Sequence, residues 1–566
     1  MSIDDRPMSE TDVPSPPHET VRTLREPDAG LSDAELRRAT ARIIDGMTEH
    51  PWGRTSPSIY ETGRLVTLAP WLSGHERRVS YLLERQRPDG MWGAPDPGYA
   101  LVPTLSAVEA LLTVLTRDGG TAGIGRDRLA RAADRALGAA AARLCGPSAP
   151  AFPLPDLPAI ELITPALVEG INASLERLRD APVAGLGAWA GRILNPPAGM
   201  DGAKLGFVRS LLASGAAVPQ KLMHALEVAG TAAAGLPHAR PEPTGTIGAS
   251  PAATAAWLGA GGAPEPGDPA RWYLEAVVAR HGGPVPCGFP LTVFERGWVL
   301  AWLARAGVPF TVPPEVVLSL TAPLGPAGTA AAAGLPSDAD TTAGALYALA
   351  LMDAPCRPDS LLPYELDEHF CTWQGEDGAS ITTNAHVLEA FGQYLATMRD
   401  RIGAASAERY ADAAVKAASW LCGQQRPDGS WEDRWHASPF YATACAAIAL
   451  AAFGGERSAP AVAAARRWVL ATQRADGSWG RWDGTAEETS YAVQLLLLTG
   501  DAPDPAATAA AARARPHLLR GLTSEDDRGD EEPALWHDKD LYRPGAIVRA
   551  GIVAALHLGR GSGVFR

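Results

Sequence analysis

Apolar positions recur along the 566-residue chain in Ala- and Leu-rich runs at helical spacing, and few stretches alternate in the manner of a half-buried strand. This pattern predicts an all-α fold. One run, Ala343 to Met352, is apolar on every side, and a helix with no polar face belongs in an interior. Just ahead of it, Leu335-Pro-Ser-Asp-Ala-Asp-Thr-Thr places Asp338 and Asp340 at the N-terminal mouth of that buried helix. Ser and Asp are favoured caps at such a mouth. A cap needs one side chain, however, and here two carboxylates crowd together with Thr341 and Thr342.

A second pattern is periodic. Gln86-Arg-Pro-Asp-Gly-Met-Trp92 recurs as Gln425-Arg-Pro-Asp-Gly-Ser-Trp431 and as Gln473-Arg-Ala-Asp-Gly-Ser-Trp479. Each copy has an aromatic residue five positions before its Gln (Tyr81, Trp420, Trp468) and a small-residue apolar run after its Trp. The unit reads as helix, tight Asp-Gly turn and second helix. The indole and the amide are expected to tie successive hairpins together, because buried N–H groups require partners. Hairpins of this kind stack into a ring or solenoid. More than 300 residues separate the first copy from the others, so two helical domains are expected. The main boundary falls in the break His281-Gly-Gly-Pro-Val-Pro-Cys-Gly-Phe-Pro290, ahead of a helix from Leu291 to Ala306.

Composition narrows the function. A net charge of −14 leaves no basic stripe for nucleic acid, but it does not bar a small phosphorylated ligand. The six cysteines are scattered without a Cys-x-x-Cys pair, which suits reduced thiols in a cytoplasmic protein. The polar, Pro-rich first 45 residues are expected to be a disordered arm with no signal peptide. Apolar stretches such as Ala442 to Gly455 fall short of the roughly 20 residues that cross a bilayer, so no transmembrane segment is expected.

The Gln-x-x-Asp-Gly-x-Trp repeats together with Asp338-Ala-Asp-Thr-Thr342 resemble the class II terpene cyclases, and more closely the bacterial class II diterpene cyclases that make copalyl-type diphosphates. Ser56-Pro-Ser-Ile-Tyr-Glu-Thr62, Ser250-Pro-Ala-Ala-Thr-Ala255, Phe289-Pro290 with Phe294-Glu295, Thr383-Asn-Ala-His-Val387, Asp433-Arg-Trp-His-Ala-Ser-Pro-Phe-Tyr441 and Trp536-His-Asp-Lys-Asp-Leu-Tyr-Arg543 are similar to family segments. The resemblance implies two α-barrel domains, β and γ, with the active site between them and no class I domain. The expected boundaries are an arm at 1–45, a first β helix at 46–74, an inserted γ barrel at 75–283 and the remaining β barrel at 284–566.

The implied reaction protonates the terminal alkene of geranylgeranyl diphosphate and closes a copalyl, halimane or clerodane bicycle, with the diphosphate retained. An alkene is a weak base, so the donor must be a carboxylic acid that stays protonated, as burial and a neighbouring carboxylate favour. By resemblance Asp340 is the donor and Asp338 supports it, with Thr341 standing where the triterpene branch has a third Asp. His386 and Asn384 fall where the family places a polar partner for the acid. Arg434, Lys539 and Arg543 are candidates for the diphosphate. Magnesium is implied, with no ligands assigned; Glu487 and Glu488 are the acidic pair to test. Trp257, Phe289, Trp298, Trp373 and Tyr441 lie in family-like segments as candidate cavity aromatics. Related plant enzymes use a His/Asn pair as final base, and Cys287 stands at the Asn position here, which leaves the base unassigned. Asp526-Asp-Arg-Gly-Asp530 spells a class I metal motif, but in a charged loop with fewer than 40 residues after it, and reads as solvated. The alternatives are farnesyl diphosphate giving a drimane, a protein prenyltransferase subunit, and a non-catalytic helical scaffold.

Overall fold

The computed structural model describes residues 32–117, 123–145, 151–259, 261–376, 378–500, 504–523 and 532–565. These residues form nineteen α-helices, five 3-10 segments and a single two-stranded ribbon, Trp536–His537 against Leu541–Tyr542. The all-α expectation holds.

The three repeats share one geometry. Each indole N–H donates to the carbonyl ten residues earlier: Trp92 to Leu82, Trp431 to Leu421 and Trp479 to Val469. Each Gln amide donates twice, once across its own turn and once to the next helix, at Ala132, Ala461 and Ala510 respectively. The turn glycines Gly90, Gly429 and Gly477 have positive φ, and a Cβ on any of them would stand within 3 Å of a backbone carbonyl on that next helix. Only glycine permits both the turn and the close approach.

Two large apolar cores result. The first gathers Leu36 to Met47 with residues from Leu291 onward to Phe565. The second runs from Ile59 to Val228 and receives Ala437, Leu535 and Leu541 from the C-terminal half. Two expectations change here. The expected arm, residues 1–45, lies outside the described residues only to residue 31. Beyond that, Ser32 closes a capping box on the helix Asp33–Glu49, and Leu36, Ile43, Ile44 and Met47 bury its apolar stripe in the first core. The segment 46–74 was expected to open the Asp340 barrel, yet Ile59, Tyr60 and Val66 pack in the second core.

The helix Ile59–Leu68 is also held from a distance. The Asp540 carboxylate accepts the N–H groups of Ile59 and Tyr60 and the Ser58 hydroxyl, so the C-terminal ribbon caps an N-terminal helix. The helix Pro97–Thr116 is long and apolar enough to cross a membrane, which the sequence reading missed, but its most apolar window is wholly buried. It serves as a core helix. All six cysteines are free thiols.

Candidate active site

A cavity of about 510 Å³ opens between residues of the two cores, within the size range of small-molecule sites. Asp338, Asp340 and Thr341 stand on its wall, together with Phe294, Trp373, Trp435, Tyr441, Trp536 and Tyr542. At other points the lining carries Arg434, Lys221, Asp156, Glu161 and Glu376.

The two aspartates divide their tasks. Asp338 is the N-cap of the helix Ala339–Leu351, and its Oδ1 accepts the Thr341 N–H at 2.6 Å. Burial pushes its carboxyl up to about 7 against that hydrogen bond, and the Asp340 charge adds to the rise. Asp340, one step into the helix, instead meets His386 Nδ1 through its Oδ1 at 2.8 Å. Burial alone would depress the imidazole, but the adjacent Asp340 carboxyl outweighs it and holds His386 well above its ordinary value. The imidazole is fixed on its other side by the edge of Trp298, 4.9 Å between centroids. Trp298 in turn donates to the Tyr441 hydroxyl at 2.8 Å. Gly344 makes this packing feasible, since a Cβ there would meet the Trp298 ring at 2.5 Å.

Four other residues singled out from sequence do structural work. Thr342 exchanges hydrogen bonds with the Thr329 backbone and is fully buried. Asn384 does not reach the acid. Its amide bonds the Phe370 N–H and carbonyl and the Ser380 carbonyl, because it faces the loop rather than the helix mouth. Lys539 is wholly buried and pairs with Glu61 and Glu227, with further hydrogen bonds to Ser250 and the His224 carbonyl. A cation with every proton committed cannot also bind diphosphate. Arg543 is off the cavity wall and stands 3.6 Å from Glu532.

Arg434 is on the wall, its guanidinium over the Trp435 ring at 4.9 Å and between Asp156 and Glu376 at 2.9 and 3.4 Å. Of the five aromatics named from sequence, Trp373 and Tyr441 line the cavity. Trp257, Phe289 and Trp298 do not. Phe294, Trp435, Trp536 and Tyr542 belong to family-like segments but were not among the aromatics expected on the wall, and Trp536 bridges Phe294 and Tyr441 at 5.7 and 4.7 Å.

No group of three or more His, Cys, Asp or Glu side chains that could hold a metal exists among the described residues. Glu487 is occupied by His436, Tyr491 and Trp536, and Glu488 by Ser438, Thr485 and the Arg481 N–H. Glu487 Oε2 is left unpartnered, but both side chains are buried and no third ligand stands with them among the described residues, so these residues do not fit a resident magnesium. Asp526 to Asp530 lies outside the described residues.

The Lys539 cluster yields a stability prediction. Lys539→Ala leaves Glu61 and Glu227 buried without their cation, and is expected to cost about 3–5 kcal/mol. Urea unfolding should show it, with KM in any surviving native protein nearly unchanged. A rise in KM at undiminished stability would restore Lys539 as a diphosphate ligand.

Residues 379–514 match the squalene-hopene cyclase C-terminal domain. The chain is 42% identical to the ent-copalyl diphosphate synthase of Streptomyces sp. (strain KO-3988) over 93% of its length and 96% of that protein's. It is 41% identical to the labda-7,13-dienyl diphosphate synthase of Streptomyces clavuligerus, covering 92% and 93%. The solved ent-copalyl diphosphate synthase from Streptomyces platensis superposes with a TM-score of 0.86 at 46% identity, over 93% of this chain and 99% of that one. With this agreement along nearly the whole length, and a buried carboxyl–imidazole pair on an aromatic-walled cavity, the chain belongs to the bacterial class II diterpene cyclases.

Proposed function

We propose that the chain cyclises geranylgeranyl diphosphate to a bicyclic diphosphate, with Asp340 delivering the initiating proton and the diphosphate retained. The observation that carries this reading is the Asp340–His386 pair on the wall of an aromatic-lined cavity. His386 can donate Nδ1–H to Oδ1 while Oδ2 carries the acidic proton to the alkene. A hydrogen bond from imidazolium to the acid withdraws charge and stabilises the carboxylate left behind. The chain folds over Phe294, Trp536 and Tyr441, whose faces stabilise the cations by perhaps ~2 kcal/mol each when dry.

Arg434 is our remaining diphosphate ligand from the sequence set, with Lys221 as a second cation on the same lining. Asp156, Glu161 and Glu376 stand among them, and a bare diphosphate beside three carboxylates is repelled. Magnesium therefore enters this reading as the counter-ion of the substrate and not as a resident of the protein. The twenty-carbon substrate is supported by relatives named for copalyl and labda-7,13-dienyl diphosphates. A cytoplasmic location fits the six free thiols.

The test is a separate incubation with geranylgeranyl and farnesyl diphosphates in magnesium buffer, followed by phosphatase and gas chromatography–mass spectrometry. A bicyclic twenty-carbon alcohol seen only after phosphatase treatment is the expected result. A fifteen-carbon bicycle alone would keep the chemistry and replace the substrate.

A further inference from the structure

Two carboxylates on the cavity wall have a histidine hydrogen-bonded behind them. Asp340 is paired with His386 at 2.8 Å, and Asp538 with His224 at 2.7 Å. Both carboxylate side chains are 13% exposed, and both line the same cavity. The reading above uses only the first pair. A cyclisation that opens by gaining a proton and closes as a neutral alkene must also give one up, and the acceptor has to face the same space.

Resting on the proposed cyclisation, we propose that Asp538 is the terminal proton acceptor, with His224 as the residue that positions it. In the closing step a C–H bond beside the cationic carbon breaks. Its electron pair becomes the second bond of the new alkene, and the proton passes to Asp538 Oδ2. Asp538 returns it to solvent when product leaves.

The hydrogen bonds decide which member of the pair is the base. His224 Nδ1 faces the Gly248 carbonyl at 2.6 Å and Nε2 faces Asp538 Oδ1. Both partners are acceptors, so both ring nitrogens carry hydrogen and the imidazolium has no lone pair to offer. Asp538 Oδ1 accepts from His224 and from the Lys539 N–H, while Oδ2 accepts only the Gly288 N–H at 2.8 Å. A lone pair on Oδ2 is left for the substrate. Burial would raise this carboxyl, but His224 overrides it and keeps Asp538 well below the usual carboxylate range, so it is anionic when the closing proton transfer begins. The Lys539 ammonium next to it is already matched by Glu61 and Glu227.

Two nearby groups are less well placed. His537 also lines the cavity and donates Nδ1–H to the Arg434 carbonyl, but its unpartnered Nε2 is buried away from the open space. Cys287 is a buried thiol, pushed well up by burial, and is not on the wall. Both ends of the reaction face one space: Asp340, Asp538 and Tyr542 all line the same cavity.

The experiment compares products of geranylgeranyl diphosphate from wild type, Asp538→Asn and Gly288→Ala. A Cβ at Gly288 would stand 2.8 Å from Asp538 Oδ2, and its φ is not positive, so Gly288→Ala displaces the carboxylate without removing its charge. Asp538→Asn is expected to consume substrate more slowly. Its main alkene should fall about ten-fold or more relative to water-captured alcohols and rearranged alkenes. Gly288→Ala should shift the ratio in the same direction. A wild-type product ratio from folded Asp538→Asn overturns the assignment. If Asp538→Asn does not fold by circular dichroism, an unchanged ratio from Gly288→Ala overturns it. Wild type that leaves the substrate untouched fails the cyclase reading first, and this inference with it.

Discussion

Asp340→Asn is expected to lower turnover of geranylgeranyl diphosphate by about 10³-fold or more, near the upper range for a lost general acid. The substitution is nearly isosteric, and its side-chain carbonyl can still accept from His386 Nδ1, so the melting temperature should hold. What disappears is the acidic proton, since an amide N–H cannot protonate an alkene. Asp338→Asn is the matched control. Asparagine caps helices as well as aspartate does, and the bond that Asp338 accepts from the Thr341 N–H survives the change. A partial loss at Asp338 beside near-complete loss at Asp340 supports the division of tasks. Equal losses would mean that the proton is shared between them.

His386→Gln is expected to reduce kcat by about 10²-fold with KM within a few-fold. Glutamine can still donate a neutral hydrogen bond, so the variant separates charge from orientation. His386 touches Asp340 and not the diphosphate end, which is why KM should hold. The sign of the pH effect follows from the same contact. The Asp340 carboxylate that proton delivery leaves behind holds His386 well above its ordinary value, so the imidazolium that stabilises it persists across neutral pH and is lost as pH rises through that raised value. Wild-type kcat should therefore fall on the alkaline side, and the fall attributed to His386 should be missing in the glutamine variant. A parallel profile in both would remove His386 from the proton-delivery step.

Much of the scaffold was legible because its signals are local. Gln, Asp-Gly and Trp lie within seven residues of each other in each repeat, and the contacts they predict are the ones observed. Asp338 and Asp340 were legible for a similar reason, since an all-apolar helix announces what its mouth faces. The misreadings have a common cause. Lys539 looks like a free cation until Glu61 and Glu227, more than 300 residues away in the chain, are folded against it. Asn384 and His386 are two apart on one helix, and only packing decides that one serves a loop and the other the acid. The arm concealed Leu36, Ile43, Ile44 and Met47 among charges, where composition masked a periodic stripe. The His224–Asp538 pair spans 314 residues, and no pattern in the sequence joins its members.

The capping of Ile59 and Tyr60 by Asp540 has a consequence for how the molecule is made. The partners are 481 and 480 residues apart. At about 5–20 residues per second, the helix Ile59–Leu68 waits roughly 24–96 s on the ribosome before its cap exists. Asp538, Trp536 and Tyr542 arrive in the same closing stretch. The reaction chamber is thus a post-synthetic object, and a nascent chain displays its apolar walls to chaperones until the final ribbon seals them.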